Sequence, residues 1–165
     1  MRSRREPVDC DALPLDNDVK VEKSPEPGPR PVYLERRYLA LVAAGGGIGT
    51  GLRETLSLAM PPVAGIPFTT CAINVAGAFI LGLLLETLVA SGEDAGVRRT
   101  IRLFAGTGLL GGFTTYSALA TDTVLLIKNA PLIGVAYALG TILFGAAATA
   151  AGIAIGALIR REGNR

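Results

Sequence analysis

From Tyr38 onward the chain reads as long apolar runs separated by short polar turns, with four runs at about residues 38–58, 66–90, 103–127 and 132–159. At about 1.5 Å of rise per residue, a helix of ~20 residues covers the roughly 30 Å hydrocarbon core of a bilayer. All four runs reach that length, so the pattern predicts an all-α integral membrane protein with four transmembrane helices. A soluble four-helix bundle would need a polar stripe along each helix, and none can be drawn on ILGLLLETLVA or GTILFGAAATAAGIAIGALI. The connections have turn composition: Pro61, Pro62, Gly65 and Pro67 after the first run, residues 91–99 after the second, and 128–131 after the third.

Residues 1–37 differ in kind, with six of the ten prolines, eight acidic and eight basic residues, and no apolar run. This composition predicts a disordered N-terminal tail. The opening MRSRRE is basic like a signal peptide, but no apolar stretch follows it, so the tail is expected to stay attached and cytoplasmic. Residues 38–160 form the expected four-span domain, and 161–165 a short C-terminal tail.

Composition narrows the chemistry. Half of the residues are hydrophobic, only 18% are charged, and histidine and tryptophan are absent. Histidine acid/base catalysis and histidine metal sites are thereby excluded. With Cys10 and Cys71 as the only cysteines, so is a disulfide framework. No nucleophile and base pair, carboxylate dyad or zinc ligand set can be assembled, so an enzyme is not expected, nor is a nucleic-acid partner. The net charge of +2 conceals an asymmetry. Arg36, Arg37, Arg98, Arg99, Arg102, Arg160, Arg161 and Arg165 flank the runs on the side of both termini, against Arg53 and Lys128 on the other. The positive-inside rule places both termini in the cytoplasm of a multi-pass cell-membrane protein.

Polar groups inside a span are costly unless partnered. In the second run Thr70 and Asn74 share a face with Gly77; Asn74 either joins two helices by a hydrogen bond or belongs to a site. The third run carries Gly111-Gly112 followed by Thr114-Thr115, residues that weaken a helix and compete for its backbone groups. A break at Gly111 to Thr115 is expected, where freed carbonyls suit a cation and freed N–H groups an anion. The same residues also suit a kink or a close-packing site, for which Gly108 and Gly112 have the GxxxG spacing. Beyond them Tyr116, Leu119 and Asp122 recur every third position, with Ser117 and Thr121 alongside, and Tyr137, Thr141, Gly145 and Thr149 every fourth. Such donor-rich stripes, without a net charge in the middle, suit a small anion. Two glycine motifs are set aside. Gly106 to Gly111 fits G-x-G-x-x-G without a preceding strand, and GGGIGTG lacks the Lys-Ser/Thr ending of a phosphate loop and is better explained by helix packing.

Together, GGIGTGLR ending in Arg53, TTCAINVAGAFILG, GTGLLGGFTTYS and the Tyr137-to-Gly145 stripe resemble the Fluc (CrcB-type) fluoride channels across residues 38–160. The resemblance implies an antiparallel, dual-topology dimer of four-span subunits, fluoride paths between them, and a structural sodium ion. Carried over position by position, sodium is held by the carbonyls of Gly111 and Thr114. The fluoride path falls on Asn74, Tyr116 and Ser117, with Thr70, Thr141 and Asp122 beside them, and Asn74 offers fluoride an amide N–H.

The chain departs from the family where Phe-Ser-Thr-Phe is usual and Tyr116-Ser117-Ala118-Leu119 stands instead. One phenyl edge becomes a phenol, one becomes an aliphatic group, and one hydroxyl is lost. A chain that inserts both ways should also lack so strong a Lys/Arg bias. Both features point to a heterodimer with an oppositely oriented paralogue. The rival classes are a cation/proton exchanger of the small multidrug-resistance type, which would want an acidic residue within the first span, and a non-conducting structural subunit.

Overall fold

The computed structural model describes residues 35–90 and 94–163. The expected disordered tail lies outside the described residues except at its end: Glu35 is the extended cap (φ −74°, ψ 119°) from which the first helix starts at Arg36. Arg36 and Arg37, the last two residues of the expected tail, form the first turn of this helix, with the Arg37 guanidinium 4.7 Å from the ring centre of Tyr38.

Among the described residues every regular element is helical. The order is α1 (Arg36–Ala59), α2 (Phe68–Ala90), α3 (Gly96–Ile101), π1 (Arg102–Leu110), α4 (Gly111–Phe113), α5 (Tyr116–Asn129) and α6 (Pro131–Gly163). Elements α3, π1 and α4 run on without interruption, and π1 consists of wide π turns of the sort that often accompany functional sites. The α1–α2 loop folds into a minimal hairpin. Val63 and Ile66 exchange backbone hydrogen bonds of 3.1 and 3.0 Å around Ala64 and Gly65, both at positive φ (52° and 77°), the geometry of a primed two-residue turn.

Among the described residues two helical stretches, Phe68–Leu88 and Pro131–Glu162, are long and apolar enough to cross a membrane. The first helix carries Arg53 and Glu54 near its end, 3.9 Å apart, and the third rod is divided into shorter pieces.

Packing rests on two seams where glycine lets backbones meet. In the first, α1 lies on π1 and α4: a Cβ on Gly45 would sit 2.9 Å from Leu109 N, and one on Gly49 2.8 Å from Phe113 N. From the opposite side, a Cβ on Gly112 would lie 3.0 Å from Gly46 Cα. In the second, α2 runs along α6, with Gly82 against Thr149 and Gly152 against Leu83 N at 2.8 Å. Gly45 and Gly49 of the α1 run and the Gly108/Gly112 pair are therefore packing positions, and Gly111 and Gly112 stay helical (Gly111 φ −64°, ψ −35°). The expected break at Gly111 to Thr115 narrows to its last two residues, since Gly112 is held in register by α1.

Candidate functional site

Thr114 (φ −75°, ψ 155°) and Thr115 (φ −149°, ψ 119°) are extended, the conformation β-branched residues favour. Thr115 caps α5: its Oγ1 accepts the Ala118 N–H at 3.1 Å and lies 3.2 Å from Ser117 Oγ. Thr114 donates both its backbone N–H and its hydroxyl to Leu110 O, at 3.0 and 2.9 Å.

From α2, Asn74 meets the break at two points. Its Oδ1 accepts the Thr115 N–H at 2.7 Å, and its Nδ2 donates to Thr115 O at 2.9 Å. One turn further on, Gly77 leaves the space that Thr114 Cγ2 occupies; a Cβ there would collide with it.

In an unbroken helix the Thr115 N–H would serve Gly111 O, and the Ala118 N–H would serve Thr114 O. Both donors are diverted, the first to Asn74 Oδ1 and the second to Thr115 Oγ1. Gly111 and Thr114 thus keep carbonyl oxygens released from the helix ladder, the ligand type that hard cations take. Among the described residues no group of three or more His, Cys, Asp or Glu could hold a metal.

Beside the break lies a cavity of about 330 Å³ whose polar lining comes from Asn74, Thr114, Thr115, Tyr116, Thr141 and Thr149, with Leu119 and Ile142 among the apolar walls. Three residues predicted for an ion path, Asn74, Tyr116 and Thr141, therefore converge on one space. Tyr116 is 80% exposed at the first turn of α5, and Ser117 is exposed next to it. Thr70 and Asp122 do not line this cavity. Asp122 faces a smaller space of about 160 Å³ with Pro62, Gly65 and Pro67. It lies 3.5 Å from Tyr137 Oη, which is 3.2 Å from Pro67 O; the single phenolic proton serves one acceptor at a time.

The hydroxyl stripe is less donor-rich than its composition suggests. Thr141 donates to Tyr137 O at 2.8 Å and Thr149 to Gly145 O at 3.0 Å, each within its own helix. An anion in the cavity gains either proton only if that hydroxyl turns away from the carbonyl. Sequence reasoning missed Thr115 as an individual site residue, although a threonine ahead of an apolar helical run is an N-cap signal. The capture of its N–H by Asn74, 41 positions away, had no local signal.

Residues 40–153 match the family described as CrcB-like protein, Camphor Resistance. The chain is 55% identical to the fluoride-specific ion channel FluC 2 of Leifsonia xyli subsp. xyli over 130 residues, 78% of this chain and 90% of that one. It is 48% identical to FluC 1 of Cutibacterium acnes (69% and 82% covered). Agrobacterium fabrum has a fluoride-specific ion channel FluC that is 40% identical (72% and 94% covered).

Proposed function

The chain belongs to the CrcB-like family, and on that premise we propose that it is a subunit of a fluoride-specific ion channel, carrying fluoride out of the cytoplasm down its gradient and so limiting its toxicity. The observation that carries the reading is the convergence of Asn74, Tyr116 and Thr141 on one cavity beside the Thr114–Thr115 break, within a region matched to relatives named for fluoride. In this reading residues 38–160 cross the cell membrane four times, with α1, α2, the α3-to-α5 rod and α6 as the spans and both termini cytoplasmic. A second subunit lies antiparallel against the face that carries Tyr116. Fluoride, stripped of water, passes along hydroxyl and amide groups at Asn74, Tyr116, Ser117, Thr70 and Thr141, with Asp122 toward the loop end.

The released carbonyls of Gly111 and Thr114 fit a structural sodium ion. Bound there, sodium supplies positive charge that offsets the cost of bringing an anion into a low-dielectric space. This chain's contribution is to hold those oxygens out of the helix ladder and to keep lipid away from the break.

The partner is proposed to be a paralogue of opposite orientation. The eight-to-two bias of flanking basic residues supports one fixed orientation, and two of the relatives bear numbered names, FluC 1 and FluC 2. Leu119 favours a second reading, a non-conducting structural subunit, since it is buried (6% exposed) and aliphatic where the family usually presents a phenyl edge.

Reconstitution in liposomes tests the proposal. Fluoride efflux is expected from vesicles holding this chain together with its paralogue, with little from this chain alone. Robust efflux from the single protein removes the need for a partner. No efflux from the pair, with ethidium binding instead, moves the chain to the exchanger class.

A further inference from the structure

Asn74 and Thr115 each intercept one backbone N–H, and each interception uncovers one carbonyl. The Asn74 carboxamide grips the Thr115 residue at both its N–H and its C=O, 2.7 and 2.9 Å away. The preceding residue is pinned as well, since Thr114 gives both its donors to Leu110 O. The backbone N–H groups of Thr114, Thr115 and Ala118 therefore each have a protein acceptor, while the Gly111 and Thr114 carbonyls have lost the donors a helix would give them. Were the acceptor at position 74 removed, the Thr115 N–H would be left unpaired beside the Gly111 carbonyl. The cheapest repair is the missing helical turn, which covers that oxygen.

We propose that Asn74 and Thr115 are positioning residues for the cation centre, Asn74 uncovering the carbonyl of Gly111 and Thr115 that of Thr114. The inference rests on the reading that these two carbonyls hold sodium. It gives Asn74 a task other than meeting fluoride, because its Oδ1 and one amide proton are engaged with backbone; only the second amide proton is left for the cavity.

The experiment is a sodium titration of the purified full-length channel against N-methyl-glucamine, with thermal unfolding as the readout, for the wild type, Asn74→Ala, Thr115→Val and Thr115→Ser. Asn74→Ala and Thr115→Val are each expected to raise the half-stabilising sodium concentration about tenfold, the order expected for one lost hydrogen bond. Thr115→Ser keeps the capping oxygen and is expected to titrate like the wild type. A merely structural role would lower the melting temperature equally at all sodium concentrations and leave the half-point in place, and that result overturns the proposal. If the wild type shows no sodium dependence, it is the sodium reading that falls, and the positioning role with it. Should the variants fail to fold, amide exchange in the unmutated protein decides. The Thr115 N–H is expected to stay protected after sodium is replaced by N-methyl-glucamine, because Asn74 and not the ion holds it; loss of protection overturns the proposal.

Discussion

Gly47 and Gly49 stand two residues apart on α1, yet an added methyl group meets opposite surroundings at the two. Nothing lies within 4 Å of a Cβ at Gly47, whereas one at Gly49 strikes Leu109 O and approaches Phe113 N to 2.8 Å. Gly49→Ala is expected to cost about 1–3 kcal/mol through overpacking against backbone that has nowhere to go. Gly47→Ala is expected to be neutral or to stabilise by up to about 1 kcal/mol through better helix propensity. Thermal unfolding of both variants in the same detergent checks the pair, and equal losses would show that the seam does not hold α1 in place. That GGGIGTG serves close packing was legible in the sequence. Which of its glycines do so was not, because consecutive glycines cover every face of a helix and only the position of π1 selects among them.

At the scale of elements, the third rod is anchored at its start by a charge clasp. Arg102 makes two hydrogen bonds to the Asp94 carboxylate, 3.0 and 2.6 Å, and Arg99 donates to Asp94 O at 2.9 and 2.6 Å. The hydrogen bond from Arg102, helped by the charges of Arg102 and Arg99 and opposed by slight desolvation, holds Asp94 below the ordinary value of 3.8. A depressed carboxylate pKa adds stability that is fully present above the unfolded value and is lost as pH falls through the folded one. The clasp is therefore expected to persist through neutral and mildly acidic pH and to open only below 3.8. Amide exchange across residues 96–101 checks this: Asp94→Asn should speed exchange at pH 7, and the difference from the wild type should shrink as the pH is taken progressively below 3.8. The apolar lengths of α2 and α6 were readable from hydropathy alone, as was the weakness of the third run near Gly111. The π turns and the exact site of the break were not, since Gly112 remains helical through its contact with Gly46 and the extended pair is fixed by Asn74 on another helix.

The described part of the whole molecule turns apolar side chains outward. Leu132 is 82% exposed, Leu143 68% and Phe144 65%, while the buried hydrophobic core amounts to Tyr38, Ile73, Leu110, Leu119 and Tyr137. Surfaces of this kind are satisfied by lipid or by another subunit. In a chain freed of Cys10 and Cys71, Arg161→Cys is expected to escape an impermeant thiol reagent in intact cells and to react once the cells are permeabilised. Partial labelling of intact cells, completed on permeabilisation, would show dual insertion and remove the charge argument for a paralogous partner. The Asn74 contact also bears on how such a molecule moves. A carboxamide carries the paired donor and acceptor of a peptide unit, so α2 offers the break a single rung of β-sheet inside an otherwise helical protein. A rung is either matched or absent. Sliding α2 by one residue would break both bonds together, so the register between these two elements is set by a single side chain.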